Sequence, residues 1–189
     1  MARAPSVATP SAFVTVTAKV SIALGLLATL YAVVQVIAAL VLLGQVDTDA
    51  VLGFLATQQI PAPALWVLTH LTMIAVGFLA VSLAFLAASV GLLRRRAWGW
   101  WGFVLFMVLG AAANFAGIAA IDATFSWVQA LPAQPGLAQM QQELAALRLL
   151  TLATLWVSAL VFAVLHGLVV WQLCRPEVRA EFGLLRTPR

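Results

Sequence analysis

Residues 65–93 read LWVLTHLTMIAVGFLAVSLAFLAASVGLL and run directly into RRRAWGWW at residues 94–101. The first stretch holds no Asp, Glu, Lys, Arg or Pro. A membrane helix needs about 20 consecutive, mostly apolar residues, so Leu65–Leu93 predicts a transmembrane span stopped by three arginines. At 1.5 Å per residue it would reach roughly 43 Å, against a hydrocarbon core of about 30 Å. That excess predicts either a tilted span or first turns standing outside the lipid, with Pro61 and Pro63 marking its start.

Three more stretches without internal proline have the same character: Val20–Leu43, Trp100–Ile121 and Leu149–Leu173. The whole chain of 189 residues is 64% hydrophobic and 8% charged, with mean hydropathy +1.07. A soluble domain is about half apolar and a quarter charged, so a water-soluble monomer and a disordered chain are both excluded. The expected fold is an all-α membrane protein, a four-transmembrane-helix bundle over 20–173 with short helical segments in its outer loops. Residues 1–19 read as a cytoplasmic tail and 174–189 as a second one. The first apolar run exceeds the 7–15 residues of a signal-peptide core, so a retained span is expected.

Nine of the ten Lys and Arg fall in the N-terminal tail, the 94–96 loop and the C-terminal tail, and Arg148 stands apart. Four spans place those three segments on one side, and the positive-inside rule makes that side the cytoplasm, with both termini in. The net charge of +4 is therefore topological, and no basic helix or aromatic platform for nucleic acid exists outside the spans. Ala, Leu, Val and Arg dominate beside a single Lys, the composition of a GC-rich bacterial genome, which points to a bacterial inner membrane.

In the first outer loop, Asp47-Thr48-Asp49 can cap a turn carrying Val51, Leu52, Phe54 and Leu55. In the second, Leu137, Met140, Leu144 and Leu147 recur at helical spacing, predicting a helix that runs straight into the fourth span. Either segment could lie at the membrane interface or meet a partner. In the inner loop, Arg94, Arg95 and Arg96 beside Trp98, Trp100 and Trp101 predict contact with anionic headgroups, where the indole is half wet.

Taking 100° per residue, small and polar side chains line one arc of each span. These are Ser21, Gly25, Ala28, Tyr31, Ala32, Gln35 and Ala39 in the first. In the second, His70 shares its face with Met73, Gly77, Ala84, Ala88 and Gly91. Asn114 lies with Gly110, Ala113, Gly117 and Ala120, and Thr151, Thr154, Ser158 and His166 form the last stripe. Such faces let helix backbones approach closely. Gln35, His70, Asn114 and Ser158 lie at similar depth, about 8–14 Å below the outer surface, and so form a candidate intramembrane polar layer. Either these groups satisfy one another and fix helix register, or His70 binds a quinone or small polar ligand or relays a proton.

Familiar four-span families fail on their residues. Small multidrug exporters need a carboxylate in the first span, which has none. Disulfide-generating enzymes need paired cysteines, and Cys174 is alone. Four-helix b-type cytochromes need facing histidines, whereas His70 and His166 sit near opposite helix ends. Claudin-like proteins need a Trp–Cys signature absent from the first outer loop. The chain resembles small four-span bacterial membrane proteins, which implies fold and location but no activity. No paired carboxylates, metal-ligand cluster or phosphate loop can be assembled, so neither catalysis, a metal nor a cofactor is expected. The expected role is an accessory component of a membrane complex, associating with another membrane protein or with copies of itself. The alternative is a small transporter or ligand-binding protein centred on the polar layer.

Overall fold

The computed structural model describes residues 11–45, 50, 53, 62–130 and 138–184. Among these the regular elements are all helices: α1 (Ala12–Gln45), α2 (Ala62–Thr69), α3 (Leu71–Leu93), α4 (Ala97–Ala130), α5 (Ala138–Leu173) and α6 (Pro176–Glu181). Four of them, α1, α3, α4 and α5, are long and apolar enough to cross a membrane. The apolar runs read from the sequence are the middles of longer helices. α1 and α4 each have 34 residues and α5 has 36, reaching about 51–54 Å at the α-helical rise. Residues 12–19, expected in a tail, already belong to α1. The helix expected around Val51–Leu55 lies outside the described residues. The one expected to carry Met140, Leu144 and Leu147 is the first part of α5 and continues unbroken into the apolar run.

The over-long second span is resolved by a break. His70 leaves the helical conformation at φ −112°, ψ 18° and separates α2 from α3. At the break side-chain bonds are added to the backbone one, since the His70 N–H still donates to the Trp66 carbonyl at 3.1 Å. The Thr69 hydroxyl bonds the Leu65 and Trp66 carbonyls at 3.1 and 2.9 Å, and the His70 ring Nδ1 lies 2.9 Å from the same Trp66 oxygen. The remaining 23 residues of α3 span about 34 Å, close to the hydrocarbon thickness without tilt.

The chain divides into two compact units, residues 1–103 with 176–189, and residues 104–175. In the first, α1 and α3 pack antiparallel: a Cβ placed on Gly25 would meet Leu86 at 3.3 Å. The α1 seam repeats every seven residues, with Ala18, Gly25, Ala32 and Ala39 all buried. α3 answers with Ala75, Ser82 and Ser89, likewise buried and seven apart. A seven-residue repeat keeps a seam facing its partner when two helices coil left-handedly. The two serines stay dry by bonding their own helix, Ser82 to the Phe78 carbonyl and Ser89 to the Phe85 carbonyl, each at 2.9 Å.

Large apolar side chains lie outside this seam. Leu27 and Leu30 are each 64% exposed while Ala32 is fully buried. Water would reverse that distribution; hydrocarbon, as apolar as leucine itself, permits it.

Two expected faces are corrected. Tyr31 stands at the edge of its arc and is exposed. On α3, the face built around His70 is not the one packed on α1: Met73, Gly77 and Ala84 are exposed, and Ala75, Ser82 and Ser89 lie on the opposite side of the helix. Only the last turns of the expected stripe are buried, because there the start of α4 meets them. Gly99 lies against the backbone of Gly91 and Leu92, and a Cβ on Gly91 would stand 2.8 Å from the Gly99 Cα.

That crossing has no room for a methyl group. Gly99→Ala should therefore destabilise the protein by about 1–3 kcal/mol, lowering its unfolding midpoint in detergent followed by circular dichroism. Gly117→Ala, where a Cβ meets nothing within 4 Å, should leave the midpoint unchanged.

Candidate functional site

The most elaborate polar cluster joins three distant parts of the chain. α3 ends in a turn in which the Arg96 N–H bonds the Gly91 carbonyl and the Arg95 N–H bonds that of Leu92. This pattern wants a left-handed residue in the middle, usually glycine. Gly183 takes the equivalent place after α6 at φ 67°, but here Arg95 does so at φ 55°. A side chain in that region costs roughly 1–2 kcal/mol, so the guanidinium must return more than that. Its Nε donates to Glu181 Oε2 at 2.7 Å. One terminal nitrogen donates to the Ser11 carbonyl at 3.2 Å and the Thr15 hydroxyl at 3.0 Å, and the other reaches the Leu93 carbonyl at 3.3 Å. Glu181 closes the ring by accepting from the Ser11 N–H at 2.9 Å.

Local sequence explains why α6 docks here. Val178 and Phe182 are four residues apart on one face, both 5% exposed. The Arg179 guanidinium lies 6.0 Å from the buried Trp100 ring. Val14, Leu92, Trp100 and Phe103 are buried at the same end. Unlike the membrane seam, this end buries large side chains.

The six residues expected at headgroups therefore divide. Arg94, Arg96, Trp98 and Trp101 are exposed, whereas Trp100 is 3% exposed and Arg95 is committed to Glu181, Ser11 and Thr15. Sequence reasoning missed Ser11, Thr15 and Glu181. The legible signal was the Val178–Phe182 spacing, which marks a short docked helix rather than a loose tail.

The expected polar layer is placed as follows. Gln35 is half-buried on α1 and lines an open groove against α3. His70 caps α3 instead of standing on a helix face; its ring stacks on Trp66 at 4.6 Å and its Nδ1 also meets the Thr69 hydroxyl at 2.9 Å. Gln35 and His70 share a unit but are not bonded to each other. In the second unit, Asn114 is exposed on α4 and Ser158 half-buried on α5. His166 sets its Nδ1 2.6 Å from the Phe162 carbonyl, and its Nε2 stands 3.6 Å from where a Gly110 Cβ would be.

A second charged cluster ties α4 to α5. Arg148 donates to Asp122 Oδ1 through Nε at 2.8 Å and through a terminal nitrogen at 2.5 Å, and to Gln129 Oε1 at 2.8 Å. The arginine that stood apart in the charge pattern thus has its counter-ion on the neighbouring helix. Its partner Asp122 is not legible from local sequence, because 26 residues separate the two.

Comparison with family models, curated proteins and solved structures finds no match.

Glu181→Ala leaves the Arg95 guanidinium half-buried without its counter-charge, a loss of about 1–3 kcal/mol. Trypsin cleavage after Arg179 should then accelerate about tenfold, tracking the undocked population of α6. Arg95→Gly relaxes the backbone but removes the clamp, and should show the same acceleration.

Proposed function

We propose that the chain is a multi-pass protein of the bacterial inner membrane with both termini in the cytoplasm. In this reading it is a non-catalytic accessory component of a membrane complex, associating with another membrane protein or a second copy. The Arg95 cluster supports this reading: one guanidinium meets Ser11 before α1 and Glu181 of α6 in the arginine-rich turn. An even number of crossings brings those segments to one face, and the positive-inside rule favours the cytoplasmic one. Arg94, Arg96, Trp98 and Trp101, all exposed, are suited to anionic headgroups there, each arginine adding about 1 kcal/mol.

The length of α4 and α5 supports association. Beyond the Asp122–Arg148 pair, α4 continues to Ala130 and α5 extends back to Ala138. These extensions reach about 12–15 Å further. Their polar residues include Ser126, Gln129 and Gln142. A helical pair carried past the membrane offers a partner a rigid surface.

Cys174, the single cysteine, is exposed and belongs to the cytoplasmic face in this reading. An impermeant maleimide should label it in inverted vesicles and leave it unlabelled in sealed right-side-out cells; the reverse pattern would contradict the topology. Association is tested by extraction into native nanodiscs and mass measurement. A stoichiometric partner or second copy is expected, and a solitary monomer would sink the accessory role.

A further inference from the structure

We infer that the groove between α1 and α3 is a binding site for a neutral, carbonyl-headed membrane lipid of the isoprenoid quinone class. The open groove offers about 470 Å³ and is lined by residues including Gln35, Ala38, Ala39, Ile74, Ala75 and Phe78. That volume falls within the roughly 300–1,000 Å³ of sites that hold small organic ligands. It exists because of side-chain size: α1 contributes two alanines where a leucine would fill the space, and α3 contributes Ala75.

Gln35 makes this more than an apolar surface. It stands eight residues before Leu43, the end of the apolar run, hence about 12 Å inside it. Its carboxamide has no hydrogen-bond partner among the described residues. A half-buried amide facing hydrocarbon without a partner is unfavourable, so a ligand that accepts from its NH2 group is favoured there.

Chemistry narrows the ligand. Among the described residues no charged side chain lines the groove, so a phosphate or fatty-acid carboxylate would be buried without a counter-ion. The depth of Gln35 also lies below the phosphate layer. A neutral ring carbonyl accepts from the Gln35 amide, the Phe78 ring offers the ligand's ring an aromatic neighbour, and an isoprenoid tail continues along the alanines. The site does not depend on the accessory role proposed above: a solitary monomer could bind quinone, and a partnered protein could fail to.

The test uses the full chain in phosphatidylcholine nanodiscs, an azido-ubiquinone photoprobe and peptide mapping. Labelling should concentrate on residues 35–39 and 74–78 and be suppressed by excess unlabelled ubiquinone but not by palmitate. Gln35→Leu should reduce affinity about tenfold, the loss of one hydrogen bond to a half-buried amide. Ala38→Trp, which fills the groove from an exposed position, should abolish specific labelling while helicity by circular dichroism is retained. Three results would each overturn the site: labelling spread evenly over the four long helices, equal competition by palmitate, or unchanged labelling in both variants. Self-association that depends on Gln35, without quinone binding, would assign the groove to a second copy instead.

Discussion

Arg95 is where the start of α1 and the end of α6 are held together. Its backbone sits in a conformation that ordinarily belongs to glycine, and its guanidinium gathers the first turn of α1 and the last turn of α6. The strain and the clamp are linked: the left-handed turn belongs to the same residue whose side chain joins α1 to α6. Around it the chain buries Val14, Leu92, Trp100, Phe103, Val178 and Phe182, an aqueous-style core at one end of a protein otherwise built for lipid.

Away from that end the packing obeys a different solvent. Helices meet through alanine, glycine and serine, and the leucines and valines face outward. In hydrocarbon there is no gain from hiding a leucine, so close backbone approach and dispersion decide the interface. The hydroxyls of Thr29, Ser82, Ser89 and Thr154 bond carbonyls of their own helices, whereas the buried Thr72 hydroxyl has no partner among the described residues. Two long-range side-chain ion pairs of the described residues stand at Arg95 and Arg148. Polar chemistry thus joins helices near their ends, and shape joins them along the middle.

Much of this was legible in the sequence. Apolar run length identified the four long helices, and the small-residue arc of α1 was read almost as it packs, with Tyr31 at its margin. The α3 face was misread because His70 served as its anchor, and His70 belongs to a break. Periodicity treats every residue in a run as helical, so it cannot see the local departure from helical geometry at His70. The seven-residue spacing of Ala75, Ser82 and Ser89 was the better guide. Partnerships of high sequence separation, Arg95 with Glu181 and Arg148 with Asp122, carry no local signature; composition showed the charges but not who meets whom.

That one guanidinium holds the start of α1 and the end of α6 to the arginine turn is the point on which this structure depends. It is tested most directly by replacing Cys174 with Ala, introducing Ser11→Cys and Glu181→Cys, and treating native membranes with a short thiol-reactive bifunctional crosslinker. A rapid intramolecular link, seen as a mobility shift of the monomer and absent from either single variant, is the expected result. Two thiols that never link, or that react from opposite sides of sealed membranes, would contradict the account.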